Sequence, residues 1–214
     1  MRIAIISEGS EDQAVIQNIF RAFGIDKSDI FLLKPSLQKD ASSPDDSTIG
    51  TLQGVKNACI GYHGKRYYFE RAIQFFDADF VVIHLDTAEI DRQDFDFQRP
   101  TRTNNENYCS ELRSKVIYLI NHWLENNYQN QIFYAIAIEE IEAWCLTIYE
   151  QNDSSKSANA KQKLNSILNK KDIKYDFDTI SQDFRKIKKL QTFLEHNQSL
   201  KDFVESIQEK LAEL

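Results

Sequence analysis

Three short apolar runs along this chain each end in a carboxylate. Met1–Ser7 (MRIAIIS) leads into Glu8, Phe80–Leu85 (FVVIHL) into Asp86, and Ile132–Ile138 (IFYAIAI) into Glu139. Runs of this length, dense in Ile and Val and lacking alternation, predict strands buried on both faces of a parallel sheet. A shorter run, Ile30–Leu33 (IFLL) closed by Pro35, predicts a fourth strand. Helical periodicity fills the gaps between them. Val15, Ile16, Ile19, Phe20 and Phe23 form one stripe over Glu11–Phe23, with Gly24 placed as a C-terminal cap. Further helices are expected over Leu52–Ile60 and Tyr67–Phe76, split by Gly61-Tyr62-His63-Gly64. The strongest runs over Tyr108–Asn126, where Leu112, Val116, Leu119, Ile120 and Trp123 share a face. After the third carboxylate, Ile141, Trp144, Cys145 and Ile148 make another core stripe.

Polar segments separate these elements. Ser36–Thr48 reads as a loop. Thr87–Asn107, which carries Asp91, Arg92, Asp94, Asp96, Arg99 and Arg102, is a long insert, functional or mobile rather than packed. Gln151–Ala160 is small and polar, a linker composition, and Lys-rich helices follow at about 161–169, 180–195 and 199–214. The expected architecture is α/β: a parallel sheet of about four strands flanked by helices over residues 1–150, with a helical C-terminal extension over 151–214.

Composition narrows the class. Of 214 residues, 42% are hydrophobic and 12% aromatic, enough for a sizeable core. No apolar run approaches the ~18 residues that a spanning helix needs, so no membrane segment is expected. Arg2 is followed by too short an apolar stretch for a signal peptide. Cys59, Cys109 and Cys145 form an odd, scattered set that fits neither a disulfide framework nor a cysteine zinc site, which points to a reducing cytoplasm. The net charge of -7 is uneven: residues 1–150 hold 14 basic against 23 acidic side chains, and residues 151–214 hold 12 against 10. An acidic front half suits cation binding, and the basic tail is the place for phosphate contacts.

The acids at the strand ends carry the candidate chemistry. In open α/β sheets ligands bind beyond the carboxyl ends of the strands. If the three strands are neighbours, Glu8, Asp86 and Glu139 converge there and offer the oxygen ligands that hard cations take. Glu11 and Asp12, just after Glu8-Gly9, also complement a helix N-terminus, and Asp86 could equally cap a loop. Glu139, Glu140 and Glu142 together exceed what a helix dipole needs. His84 lies inside the strand and reads as a core residue rather than a ligand. The chain contains no P-loop, no nucleophile elbow and no poised Cys/His pair.

The set Glu8-Gly9-x-x-Asp12, Asp86 after its apolar strand, and Glu140-Ile141-Glu142-Ala143-Trp144 resembles the Toprim-like proteins of the DUF4276- and RloB-related groups. It is also similar to the nuclease half of the overcoming-lysogenisation-defect proteins. The resemblance spans about residues 1–150 and extends weakly to Asn197–Phe203. It implies a Toprim-like α/β domain that cuts nucleic-acid phosphodiesters with Mg²⁺ or Mn²⁺, in bacterial phage defence, alongside an ATPase partner protein. It further implies Glu8 and Asp86 as catalytic residues, and a metal set drawn from Glu8, Asp12, Asp86, Glu139 and Glu142. Where the family has a second aspartate two residues after the first, this chain has Ala88. A non-catalytic Toprim-like regulatory subunit is therefore the alternative. A receiver-like phosphoacceptor ranks last, since Glu139 stands where that reading needs a lysine. For nucleic-acid contact the candidates are Lys65, Arg66, Arg185 and Lys188, with Arg92 as a further donor of positive charge.

Overall fold

Four apolar runs become four strands because their Ile, Val and Phe side chains fill both faces of one sheet. The structure, a computed structural model, describes residues 1–35, 51–61, 66–92, 95, 97–103 and 105–213. The strands are β1 (Ile3–Ile6), β2 (Ile30–Lys34), β3 (Phe80–Asp86) and β4 (Ile132–Ala137), all parallel, in the order β2-β1-β3-β4. Side chains alternate between two cores, as a period of two requires. Ile3, Ile5, Val82, Phe133 and Ala135 face one; Ala4, Ile6, Val81, Ile83 and Leu85 face the other.

Helix α1 (Ser10–Ala22) packs Val15, Ile16, Ile19 and Phe20 onto the first face. It ends at Gly24, whose φ of 78° is left-handed and whose N–H returns to Arg21 O. Helices α2 (Leu52–Ile60), α3 (Tyr67–Glu70) and α4 (Tyr108–Trp123) lie on the second face. The chain thus winds from β1 to one side through α1, and from β2 across to β3 and β4 through helices on the opposite face. Right-handed crossovers impose this change of face when the direction of winding reverses. The reversal falls between β1 and β3.

Two expected helices are modified. The segment after α3 widens into a π-turn over Arg71–Phe75. α4 stops at Trp123 because Glu125 and Asn126 adopt φ of 53° and 58°, outside the helical region.

The chain beyond Gln151 shares the first core. Helices α5 (Glu142–Tyr149), α6 (Ala160–Lys170), α7 (Phe177–Ile180), α8 (Ile187–Phe193) and α9 (Gln198–Ala212) all contribute to it. α9 buries Leu200, Phe203, Val204 and Ile207, and Phe203 stacks on Trp144 with ring centroids 5.5 Å apart. The small polar stretch after α5 is tied down rather than loose. Ser154 Oγ donates to Ala143 O at 2.8 Å, and Asn197 Nδ2 donates to Ser154 Oγ at 3.0 Å. The span expected as one helix over 180–195 is broken. Buried Ser181 donates back to Phe177 O and accepts from Asn18 Nδ2 of α1 at 2.7 Å, so the backbone bends to serve that contact. Among the described residues no helix is long and apolar enough to cross a membrane.

Ser199 holds α9 against the sheet: its Oγ accepts the Trp144 indole N–H at 2.8 Å, fully out of solvent. Ser199→Ala leaves that N–H buried and unpaired and is expected to lower unfolding free energy by about 1–3 kcal/mol. Thr192→Ala, at an exposed hydroxyl, should be near neutral, and denaturant titration of both variants checks the contrast.

Candidate metal centre

Parallel pairing sets Ile6 beside Ile83 and Asp86 beside Ala137, so β1, β3 and β4 finish at one edge. There the β1–α1 and β3–α4 connections leave toward opposite faces of the sheet, the position at which open α/β sheets bind ligands. Glu8 stands in the first connection, and its Oε1 accepts the Asp86 N–H at 2.9 Å. Asp12, in the first turn of α1, folds back to accept the Gly9 N–H at 2.7 Å. Glu142 opens α5 almost fully buried, accepting the Tyr175 hydroxyl at 3.2 Å with Lys161 Nζ 3.6 Å away.

His84 lies at the centre of this group. Residues 84 and 86 share a face of β3, and the His84 ring is wholly buried, 6.2 Å from Trp144. Its Nδ1 faces Asp12 Oδ2 at 3.6 Å and its Nε2 faces Asp86 Oδ1 at 3.5 Å. Neither nitrogen makes a hydrogen bond, and neither does the buried Asp86 Oδ1. The sequence reading of His84 as a core residue accounts for its burial and misses the carboxylates on either side. The strand period was the signal that could have found them, because it sets His84 and Asp86 side by side.

Burial and crowding alter the acid–base chemistry. Desolvation, joined by repulsion from Asp12 and Glu89, pushes Glu8 up to about 7, against the lowering effect of the Asp86 N–H. Burial lifts Asp12 to about 6. Asp86 is held well above the usual carboxylate range by burial first, then by the charges of Asp12, Glu8, Glu142 and Glu140. Glu142 is also raised, chiefly by burial. Burial alone pushes His84 down to about 3, leaving a neutral imidazole at pH 7.

Glu139 belongs to a different arrangement. Its backbone is left-handed, with φ of 67°. Its carboxylate receives Arg99 Nη1 at 3.4 Å and Arg102 Nη1 at 3.3 Å. Arg99 also pairs with Asp91 at 3.1 Å and donates to Thr87 O, while Ile90 and Phe95 enter the core. The described part of the 87–107 insert is therefore clasped over the end of β4. Of the two acids the sequence left open for the third position, Glu142 stands with the cluster.

The candidate phosphate contacts lie elsewhere. Lys65 falls outside the described residues. Arg66 pairs with Glu125 at 2.8 Å, beyond the end of α4 that leads to the start of β4 and so at the sheet edge away from the acids. Arg185 is bound to Asn18 and Asp178, about 9 Å further along α1 than Asp12 at 1.5 Å per residue. Lys188 is exposed on α8. Among the described residues, Lys161 acts on Asp12 and Glu142, and its backbone N–H donates to Glu140 Oε2 at 3.0 Å, while Arg92 offsets charge on Glu8.

Carboxylate oxygens, a neutral imidazole and a buried Asp86 oxygen without a partner are suitable donors for a divalent cation. Among the described residues no three His, Cys, Asp or Glu side chains are gathered closely enough to hold one as they stand, so binding requires the acids to draw together. No family model, no curated protein and no solved structure matches the chain.

The raised acids make stability depend on pH in a definite direction. Glu8 binds its proton more tightly folded than unfolded, so its ionisation removes stability as pH rises from about 4.5 to about 7. In chelated buffer, Glu8→Gln should be more stable than wild type at pH 8 by about 1–3 kcal/mol, converging with it by pH 4. A variant less stable than wild type at pH 8 contradicts the charge crowding.

Proposed function

We propose that this chain is a divalent-cation-dependent phosphodiesterase of Toprim type acting on nucleic acid in a reducing cytoplasm. The observation that carries the reading is the meeting of Glu8, Asp12 and Asp86 at the β1–β3 switch point, with their carboxyl groups held above the ordinary range. Perturbed acids gathered in one place mark functional sites more often than structural ones. The three free, buried cysteines agree with the compartment.

Glu8, Asp86 and Glu142 are the residues that would hold Mg²⁺ or Mn²⁺. The ion, when bound, supplies Lewis-acid polarisation of a phosphoryl oxygen and lowers the pKa of a coordinated water. Glu8, raised to about 7 without the ion, must release its proton to bind it, so cation uptake there should strengthen as pH rises through neutrality. Lys161, on the rim beside Glu142, adds positive charge for an incoming phosphate. Ala88 offers no carboxylate, and its N–H is spent on Glu139 O at 2.9 Å. The missing carboxylate at Ala88 is what favours the second reading, a non-catalytic regulatory or partner subunit with a degraded metal site.

Incubation of the purified chain with DNA and with RNA, under EDTA, Mg²⁺ or Mn²⁺, tests the proposal. Cleavage should require a cation, and Glu8→Gln and Asp86→Asn should each reduce it by about 10²-fold or more while still unfolding in one cooperative transition. Absence of cation binding by calorimetry rejects the nuclease reading and favours the non-catalytic regulatory subunit, as does intact polymer in the presence of either cation.

A further inference from the structure

His84 has the surroundings of a metal ligand rather than of a core histidine. A buried neutral imidazole carries one N–H and one lone pair, and normally satisfies both. Here both nitrogens are buried and each looks at a carboxylate oxygen across 3.5–3.6 Å without a hydrogen bond. Two donors that share a cation at 2.0–2.2 Å with tetrahedral spread lie about 3.3–3.6 Å apart, so the Nε2 to Asp86 separation matches ligands of one ion. On the other side of the ring, Asp12 stands where a carboxylate orients a metal-binding imidazole by accepting its second N–H. Asp12 is itself fixed by the Gly9 N–H at 2.7 Å, which gives that oxygen a firm position.

His84 lies two residues before Asp86, on the same face of β3, and sets a nitrogen donor beside that carboxylate.

We propose that His84 Nε2 is a metal ligand together with Asp86 and Glu8, that Asp12 orients the ring, and that the centre consequently prefers Mn²⁺ and later first-row ions to Mg²⁺. At a site that includes imidazole nitrogen, affinity rises from Mn²⁺ through the later first-row ions, whereas Mg²⁺ is held through oxygen. The inference rests on the cation reading above and deepens it by naming the metal class. Asp12 leaves the set of direct ligands and becomes a positioning residue.

Pulsed electron paramagnetic resonance of Mn²⁺ added to the purified chain decides the point without any activity measurement. The expected spectrum shows nitrogen modulation from one imidazole, shifted in frequency when the protein carries ¹⁵N-histidine. By calorimetry, Mn²⁺ should bind at least tenfold more tightly than Mg²⁺. His84→Gln should remove the nitrogen signal and weaken Mn²⁺ by about 10–100-fold while changing Mg²⁺ less than about threefold, and Asp12→Asn should weaken Mn²⁺ by at least about tenfold with the nitrogen signal kept. The wild-type spectrum needs no variant, so a misfolded substitution does not shield the idea. Mn²⁺ bound through Asp86 with no nitrogen coupling overturns the role of His84 and leaves the cation reading intact. Absence of Mn²⁺ and Mg²⁺ binding overturns both.

Discussion

Parallel pairing of β1 with β3 is the constraint on which the rest of the molecule depends. Because the strands run the same way and start in register at Ile3 and Phe80, their carboxyl ends finish together. Because β1 is followed by a helix on one face and β3 by a helix on the other, the chain parts at that edge, where Glu8 and Asp86 meet. An antiparallel pair would separate these two acids by the length of a strand.

The acids work against the fold that assembles them. Burial behind apolar layers raises all three, and neighbouring acids also repel Glu8 and Asp86, which is why Glu8, Asp12 and Asp86 hold their protons more tightly than free carboxyls do. The apolar layers also resist relaxation. Fully buried Val82, Trp144, Phe20 and Phe203 lock β3, α5, α1 and α9 into one packed body. Burial of each such side chain contributes about 1.5–3 kcal/mol, enough in sum to hold a few unfavourable charges in place. Strain of this kind collects where a protein binds or reacts.

Two structural ties shape the rim. The Arg99 and Arg102 clasp on Glu139 neutralises the acid that ends the third apolar run and secures the described part of the insert. Behind the cluster, Asn197 caps α9 through Leu200 N–H and binds Ser154, while Ser199 receives the Trp144 indole. The C-terminal helices are therefore the back wall of the acidic centre, although their composition marks them as a separate, Lys-rich piece. The same polar network runs along the 180–195 segment, where Asn18 of α1 donates to Ser181 and accepts from Arg185.

What the sequence determined by itself was the set of elements and their order. Apolar runs without alternation specify strands covered on both sides, and the stripes of α1, α4 and α5 specify which helical faces are buried, because hydrophobic periodicity is a local property. It also marked Glu8, Asp86 and the Glu139–Glu142 group, since a carboxylate at the end of a buried strand is visible in one dimension. Only the tertiary structure decided which of them share a space. Strand order made β1, β3 and β4 adjacent, the arginines of the insert drew Glu139 away, and packing against Trp144 set His84 between Asp12 and Asp86. Those outcomes depend on contacts between residues tens of positions apart. Such contacts follow from how layers stack, and no local spacing of residue types encodes them.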